Sequence, residues 1–182
     1  VQERVAKGTI FTAPCHEAIR YANLLKTLMP WHEGFVFSNS GSEATLRAIR
    51  LARAHTGRDR VAIFSGGWHG SHDQVLFEEH PESIEETPVF LPKSSGIPAE
   101  VAKHLLMLPY NHGRACELIK AHRNELALVL IEPTQGSNPR DDVVSFLHEI
   151  RDVSGENGIL FGLDEVITGG RLGLGGGQEY YG

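Results

Sequence analysis

The chain reads as an α/β protein whose parallel-dominated sheet carries helices on both faces. Three observations predict it: short apolar runs, amphipathic stretches between them, and polar, Gly-rich or ionisable residues directly after the runs. Phe35 to Ser38, Val61 to Phe64, Leu126 to Ile131 and Ile159 to Leu163 read as strands, and their continuous apolar character points to burial on both faces. Helical patterns cover Cys15 to Met29, Ser42 to His55, Arg114 to Arg123 and Asp141 to Asn157, several opened by Ser or Asp cap candidates. Ser71 to Pro109, with EEHPESIEETP followed by SSGIP, is too polar and Pro-punctuated for core and reads as a long excursion of the lid or binding-loop kind.

The 182 residues are 41% hydrophobic, enough for one domain with a real core. A net charge of −6 without a basic stripe argues against nucleic acid or an anionic membrane as partner. No apolar run approaches the length of a membrane span. Cys15 and Cys116 stand far apart, which gives no disulfide framework or cysteine zinc site and suits a reducing cytoplasm. The abrupt ends, VQERVAKGT and GGGQEYYG, suggest a fragment.

Ligands of open parallel sheets bind beyond the carboxyl ends of the strands. Four segments fall there: Ser38 to Ser42, Ser65 to His69, Glu132 to Asn138, and Asp164 to Thr168. Asp164 ends an apolar strand, and a buried carboxylate needs a partner. A protonated ring nitrogen of a cofactor would supply one, as pyridoxal phosphate (PLP) chemistry requires. In SNSGSEA, Gly41 and Ser42 open a helix, where free N–H groups and the dipole favour a phosphate; an ordinary cap with Glu43 against the dipole explains the same residues. In SGGWHG, paired glycines permit close backbone approach, and Trp68 is either a platform for a flat ring or a core residue. His69, His72 and Asp73 form an HxxHD cluster that lacks the remaining ligands of a metal site. Pro133 ends the third strand, so that Glu132 and the TQGSN loop face the site, unless Glu132 is a satisfied strand-end acid. If the strand continues that far, Asp164 and Val166 share one face while Glu165 points the other way.

Together these residues resemble the class III PLP-dependent aminotransferases of fold type I, and most closely their glutamate-1-semialdehyde aminomutase-like branch. SNSGSEA with AIRLARAHTGRDR, SGGWHG, SSGIP with LPYN, LIEPTQG and FGLDEVITGGR follow the family order over almost the whole chain. The resemblance implies that Gly41 and Ser42 hold the cofactor phosphate, that Trp68 stacks on one ring face with Val166 on the other, and that Asp164 pairs with the pyridine nitrogen. It implies that Glu132 belongs to the site wall, that Ser137 or Asn138 lies near the ring hydroxyl or substrate, that His69 is second shell, and that the tract from Ser71 to Pro109 gates the site. Ser137 and Ile167 stand where relatives acting on ornithine or 4-aminobutyrate carry Glu and Gln, which favours the aminomutase-like branch.

A PLP transaminase needs a Schiff-base lysine, and the family places it downstream of the Asp strand. Lys7, Lys26, Lys93, Lys103 and Lys120 look like solvated helix or loop residues, so no catalytic residue is assignable before Gly182. The resemblance thus makes residues 1–182 the incomplete central part of the PLP-binding large domain, without the N-terminal segment, the lysine region and the C-terminal small domain. It implies a cytoplasmic homodimer, when full length, that moves an amino group between an amino acid or amine donor and a keto or aldehyde acceptor. An aminomutase proper, a racemase or a decarboxylase uses the same tuning residues, and an inert truncated module remains the alternative of another class. A nucleotide-binding Rossmann reading is weaker, because no GxGxxG follows the first strand and the Gly-rich tail lacks a helix after it.

Overall fold

The computed structural model describes residues 1–10, 12–83 and 89–182. They divide into two compact units, Val1–Phe37 and Ser38–Gly182. The first holds α1 (Gln2–Val5) and α2 (His16–Leu28). Arg4 pairs with Glu17 at 2.8 Å, the Tyr21 and Phe37 rings stack at 5.5 Å, and no residue of α2 is buried.

The second unit runs α3 (Gly41–Thr56), β1 (Arg60–Phe64), β2 (Phe77–Glu79), β3 (Phe90–Pro92), α4 (Ala99–Ala102), β4 (Leu105–Leu108), α5 (Arg114–Ala121), β5 (Leu126–Ile131), α6 (Val144–Glu156), β6 (Leu160–Leu163) and α7 (Gly176–Tyr181). The main sheet has the order β4-β1-β5-β6 with every neighbouring pair parallel, and β2 and β3 form a separate antiparallel pair. Parallel strands need covered faces, and side-chain alternation divides the core accordingly. Ala62, Phe64, Leu106 and Leu108 pack with residues of α5 and α6. Val61, Ile63, Leu105 and Met107 pack with Ile49 and Ala52 of α3. The β1–β5 register shifts between Arg60 and Val61, which lets Ala127 and Leu128 join the α3 side together.

Arg58 anchors the opposite end of the sheet. Its guanidinium donates to the carbonyls of Leu126 at 3.1 Å and Gly158 at 2.9 Å, tying the starts of β5 and β6 to the entry of β1.

Three expectations are corrected. Phe35 to Ser38 forms no strand, because Val36 is 66% and Phe37 43% exposed and the segment finds no ladder partner. The tract from Ser71 to Pro109 is not all excursion: Leu105–Leu108 is buried throughout as edge strand β4, and β2 and β3 precede it. Residues 84–88 of that tract lie outside the described ones. The Gly-rich tail does enter a helix, the short α7, so the absence of one no longer counts against a nucleotide site. The missing GxGxxG after the first observed strand still does. Of the Ser and Asp cap candidates, Ser40 caps α3, whereas α6 starts at Val144 without a side-chain cap.

Candidate functional site

Four backbone segments meet at the site: the start of α3 and the residues that follow β1, β5 and β6. Asp164 follows β6 directly and its N–H bonds the Ile131 carbonyl at 2.7 Å, which fixes where the acid leaves the sheet. The side chain is 7% exposed. Its Oδ1 accepts from Val166 N–H at 3.1 Å, and its Oδ2 lies 2.8 Å from Nδ1 of His69, itself 2% exposed. A carboxylate only accepts, so Nδ1 carries the hydrogen. The acid therefore has a protein partner already, which sequence reading had sought only in a cofactor. Its oxygens keep further lone pairs for a ring N–H.

Glu132 is buried at the end of β5 and accepts Trp68 N–H at 2.8 Å. Burial pushes its carboxyl above the ordinary range, and the Trp68 hydrogen bond opposes that shift. Its carboxylate is thus a holder of the Trp68 backbone. Trp68 and Val166 are 53% and 59% exposed, two apolar side chains beside a buried acid. Lys93 is not simply solvated, since its Nζ stands 5.4 Å from the Trp68 ring centroid and 3.9 Å from Glu78.

The start of α3 is built into the same place. Ser40 Oγ takes Glu43 N–H at 3.2 Å and Ser40 O takes Ala44 N–H at 3.1 Å. The N–H groups of Gly41 and Ser42 take no part in this cap. Ser42 Oγ accepts Ser71 N–H at 3.1 Å, so its own proton is left to donate outward. Gly41 lies close under Val166: a Cβ there would stand 2.9 Å from Val166 Cγ2, so that the valine side chain would have to shift. Thr45, also buried, donates to His69 O at 2.7 Å.

Ser137 and Asn138 line a cavity of about 370 Å³ with Ser65, Glu79, Gln135 and Arg140. Ser137 Oγ donates to Gly66 O at 2.8 Å, Glu79 is hydrogen-bonded to Ser65 Oγ, and Asp142 clasps Arg140 at 2.6 and 2.7 Å. Gln135 and Thr45 were missed from the sequence. Gln135 is 2% exposed and its Nε2 donates to Ser65 O at 2.8 Å, but no spacing rule marks such a residue. The strand β6 ends at Leu163, so alternation does not extend to Glu165; its carboxylate accepts from Gly177 N–H, from Gln178 N–H at 3.1 Å and from Thr168 Oγ1 at 2.9 Å. The HxxHD histidines are engaged elsewhere, His69 with Asp164 and His72 with Thr45. Among the described residues no group of three or more His, Cys, Asp or Glu could hold a metal, and no helix is long and apolar enough to cross a membrane.

The family model of class-III aminotransferases matches residues 1–179. The chain belongs to that family. Glutamate-1-semialdehyde 2,1-aminomutase of Methanothermobacter thermautotrophicus is 42% identical over 186 residues, covering 100% of this chain. The chain spans 42% of the length of that relative. Among solved structures, an omega-transaminase from Sphaerobacter thermophilus superposes with a TM-score of 0.89 at 36% identity over 99% of this chain and 42% of its own. A transaminase with PLP bound matches at a TM-score of 0.87 and 28% identity, over 100% of this chain and 42% of that one. These neighbours share the α/β fold type I architecture of which this chain forms part.

The residues present fit the family cofactor on their own chemistry. N–H groups outside the Ser40 cap and a hydroxyl at the mouth of α3 suit a phosphate, an oriented buried carboxylate suits a protonated pyridine, and Val166, whose N–H that carboxylate accepts, presents an exposed apolar side chain.

Proposed function

We propose that the full-length protein is a PLP-dependent enzyme of amino-group transfer and that residues 1–182 are the central part of its large, cofactor-binding domain. The observation that carries this reading is the Asp164 clasp: a buried acid fixed by His69 Nδ1 and Val166 N–H beside the exposed Trp68 and Val166. In this reading Gly41 and Ser42 bind the phosphate, Trp68 and Val166 flank the ring, and Asp164 holds a proton at the pyridine nitrogen. His69 fixes the rotamer of Asp164, Glu132 fixes the Trp68 backbone, and Ser137 and Asn138 face the substrate side. The bound cofactor supplies the electron sink for cleaving bonds at the amino-bearing carbon. The Schiff-base lysine belongs to a part of the protein downstream of Gly182, and the working form is a cytoplasmic homodimer acting on a small amino donor and a keto or aldehyde acceptor.

A second reading, an aminomutase, is favoured by the names of the curated relatives. Asp164→Asn tests the clasp in either case. It removes a charge-assisted hydrogen bond of about 1.5–3 kcal/mol, so PLP affinity should fall roughly 10- to 100-fold. Unchanged affinity would refute the pyridine-nitrogen role. Acceptor profiling separates the two activities: a transaminase consumes a keto acid or aldehyde acceptor stoichiometrically, whereas an aminomutase returns an isomer with none consumed.

A further inference from the structure

His72 lies in the loop after β1, three residues beyond His69. Its Nε2 lies 3.1 Å from Thr45 Oγ1, and its Nδ1 is buried with no hydrogen-bond partner among the described residues. Thr45 Oγ1 has four neighbours: His69 O at 2.7 Å, Gly41 O and Ser42 O at 3.1 Å each, and His72 Nε2. A hydroxyl owns one proton, and carbonyls can only accept it. The shortest contact assigns that proton to His69 O. The imidazole must then donate from Nε2, since a bare nitrogen would set lone pair against lone pair. That leaves Nδ1 as a bare lone pair in a dry place.

The same loop is fastened to α3 twice more. Ser71 N–H reaches Ser42 Oγ, and Gly70, at φ +110°, lies so close that a Cβ would stand 2.7 Å from Ser42 Oγ. His72 is thus the outer member of a chain, His72 to Thr45 to His69 O, that presses the loop after β1 onto the first turn of α3.

We propose that His72 is a positioning residue for the phosphate end of the site, donating from Nε2 to Thr45 so that Thr45 holds the His69 carbonyl and Ser42 stays aimed at the phosphate. This rests on the reading that the mouth of α3 holds the cofactor phosphate. A second proton on the ring would sit on Nδ1, where no acceptor meets it, and would strain the contact. Burial accordingly lowers the pKa of His72, with adjacent Asp73 opposing and His69 reinforcing; α3 presents to it the uncharged Thr45 hydroxyl. The clasp is intact at neutral pH and above and loosens as pH falls below the ordinary histidine value of about 6.5.

The test compares binding of PLP and of pyridoxal, which lacks the phosphate, to the full-length protein between pH 5 and 8. The probe's own phosphate titrates at about 6, so the comparison of wild type with variants decides. His72→Gln keeps an amide donor that cannot be charged, and should retain the PLP-over-pyridoxal preference at pH 8 while flattening its decline in acid. His72→Leu should weaken PLP by about fivefold at pH 8, the size of one lost hydrogen bond, with the gap to wild type closing in acid, and should leave pyridoxal unchanged. A PLP preference whose size and pH dependence match wild type in both variants overturns the role of His72. Equal binding of PLP and pyridoxal by wild type overturns the phosphate reading beneath it, a different result from the first.

Discussion

Gly70 offers the sharpest check on the packing between the loop after β1 and α3. Its φ of +110° is a conformation side chains rarely adopt, and an added Cβ would stand 2.7 Å from Ser42 Oγ, 2.8 Å from Ser42 Cα and 3.0 Å from Ser42 Cβ. Gly70→Ala therefore incurs two costs. Backbone strain contributes about 1–2 kcal/mol. Forcing a methyl against the Ser42 backbone adds about 1–3 kcal/mol. The sum, about 2–5 kcal/mol, is a large share of the ~5–15 kcal/mol that holds an ordinary domain together. Gly96 supplies the control, for it has φ +99° and nothing within 4 Å of a built Cβ. Gly96→Ala should show the backbone cost alone. Urea unfolding of the cofactor-free full-length protein, followed by circular dichroism, measures both. The Gly70 variant should unfold at a clearly lower midpoint than the Gly96 variant and should lose preference for PLP over pyridoxal. Equal midpoints for the two variants would refute the close approach to Ser42.

Glu132→Gln keeps an oxygen for Trp68 N–H but cannot ionise. Because burial raises the folded-state pKa of Glu132, its contribution is most favourable below the unfolded value, about 4.3, and is lost as pH rises through the folded value. The variant's stability advantage over wild type should therefore grow from pH 4 to pH 8 in urea titrations; an advantage that shrinks with pH would contradict the burial. Leu108→Ala empties a fully buried position registered against Phe64, and should cost about 2–5 kcal/mol in the same assay. A cost under about 0.5 kcal/mol would return that residue to a surface loop.

The strands legible in the sequence are those whose apolar runs stand between clear helical patterns, as in Val61 to Phe64 and Leu126 to Ile131. Leu105–Leu108 is as apolar, but it is short and directly follows a polar, Pro-punctuated tract, so its local context reads as loop. Phe35 to Ser38 failed in the opposite way: local apolarity carries no information on whether a neighbouring strand exists, and here none does among the described residues. At the site, residues at strand exits could be named because the topology of a parallel sheet dictates where they lie. Their bonding could not. That His69 partners Asp164 across 95 positions, or that Thr45 ties α3 to His69 O, depends on sub-ångström placement of helix against sheet, which periodicity does not encode.

Glu165 makes the short helix α7 a lever on the acid beside it. Its carboxylate grips the first backbone N–H groups of α7, while its own peptide link joins it to Asp164 at the sheet edge. One side chain and one peptide bond thus separate the backbone of α7 from the acid proposed to pair with the ring. Loss of the Glu165 carboxylate would therefore free the first turn of α7 and the Thr168 hydroxyl together, in the segment that directly follows Asp164.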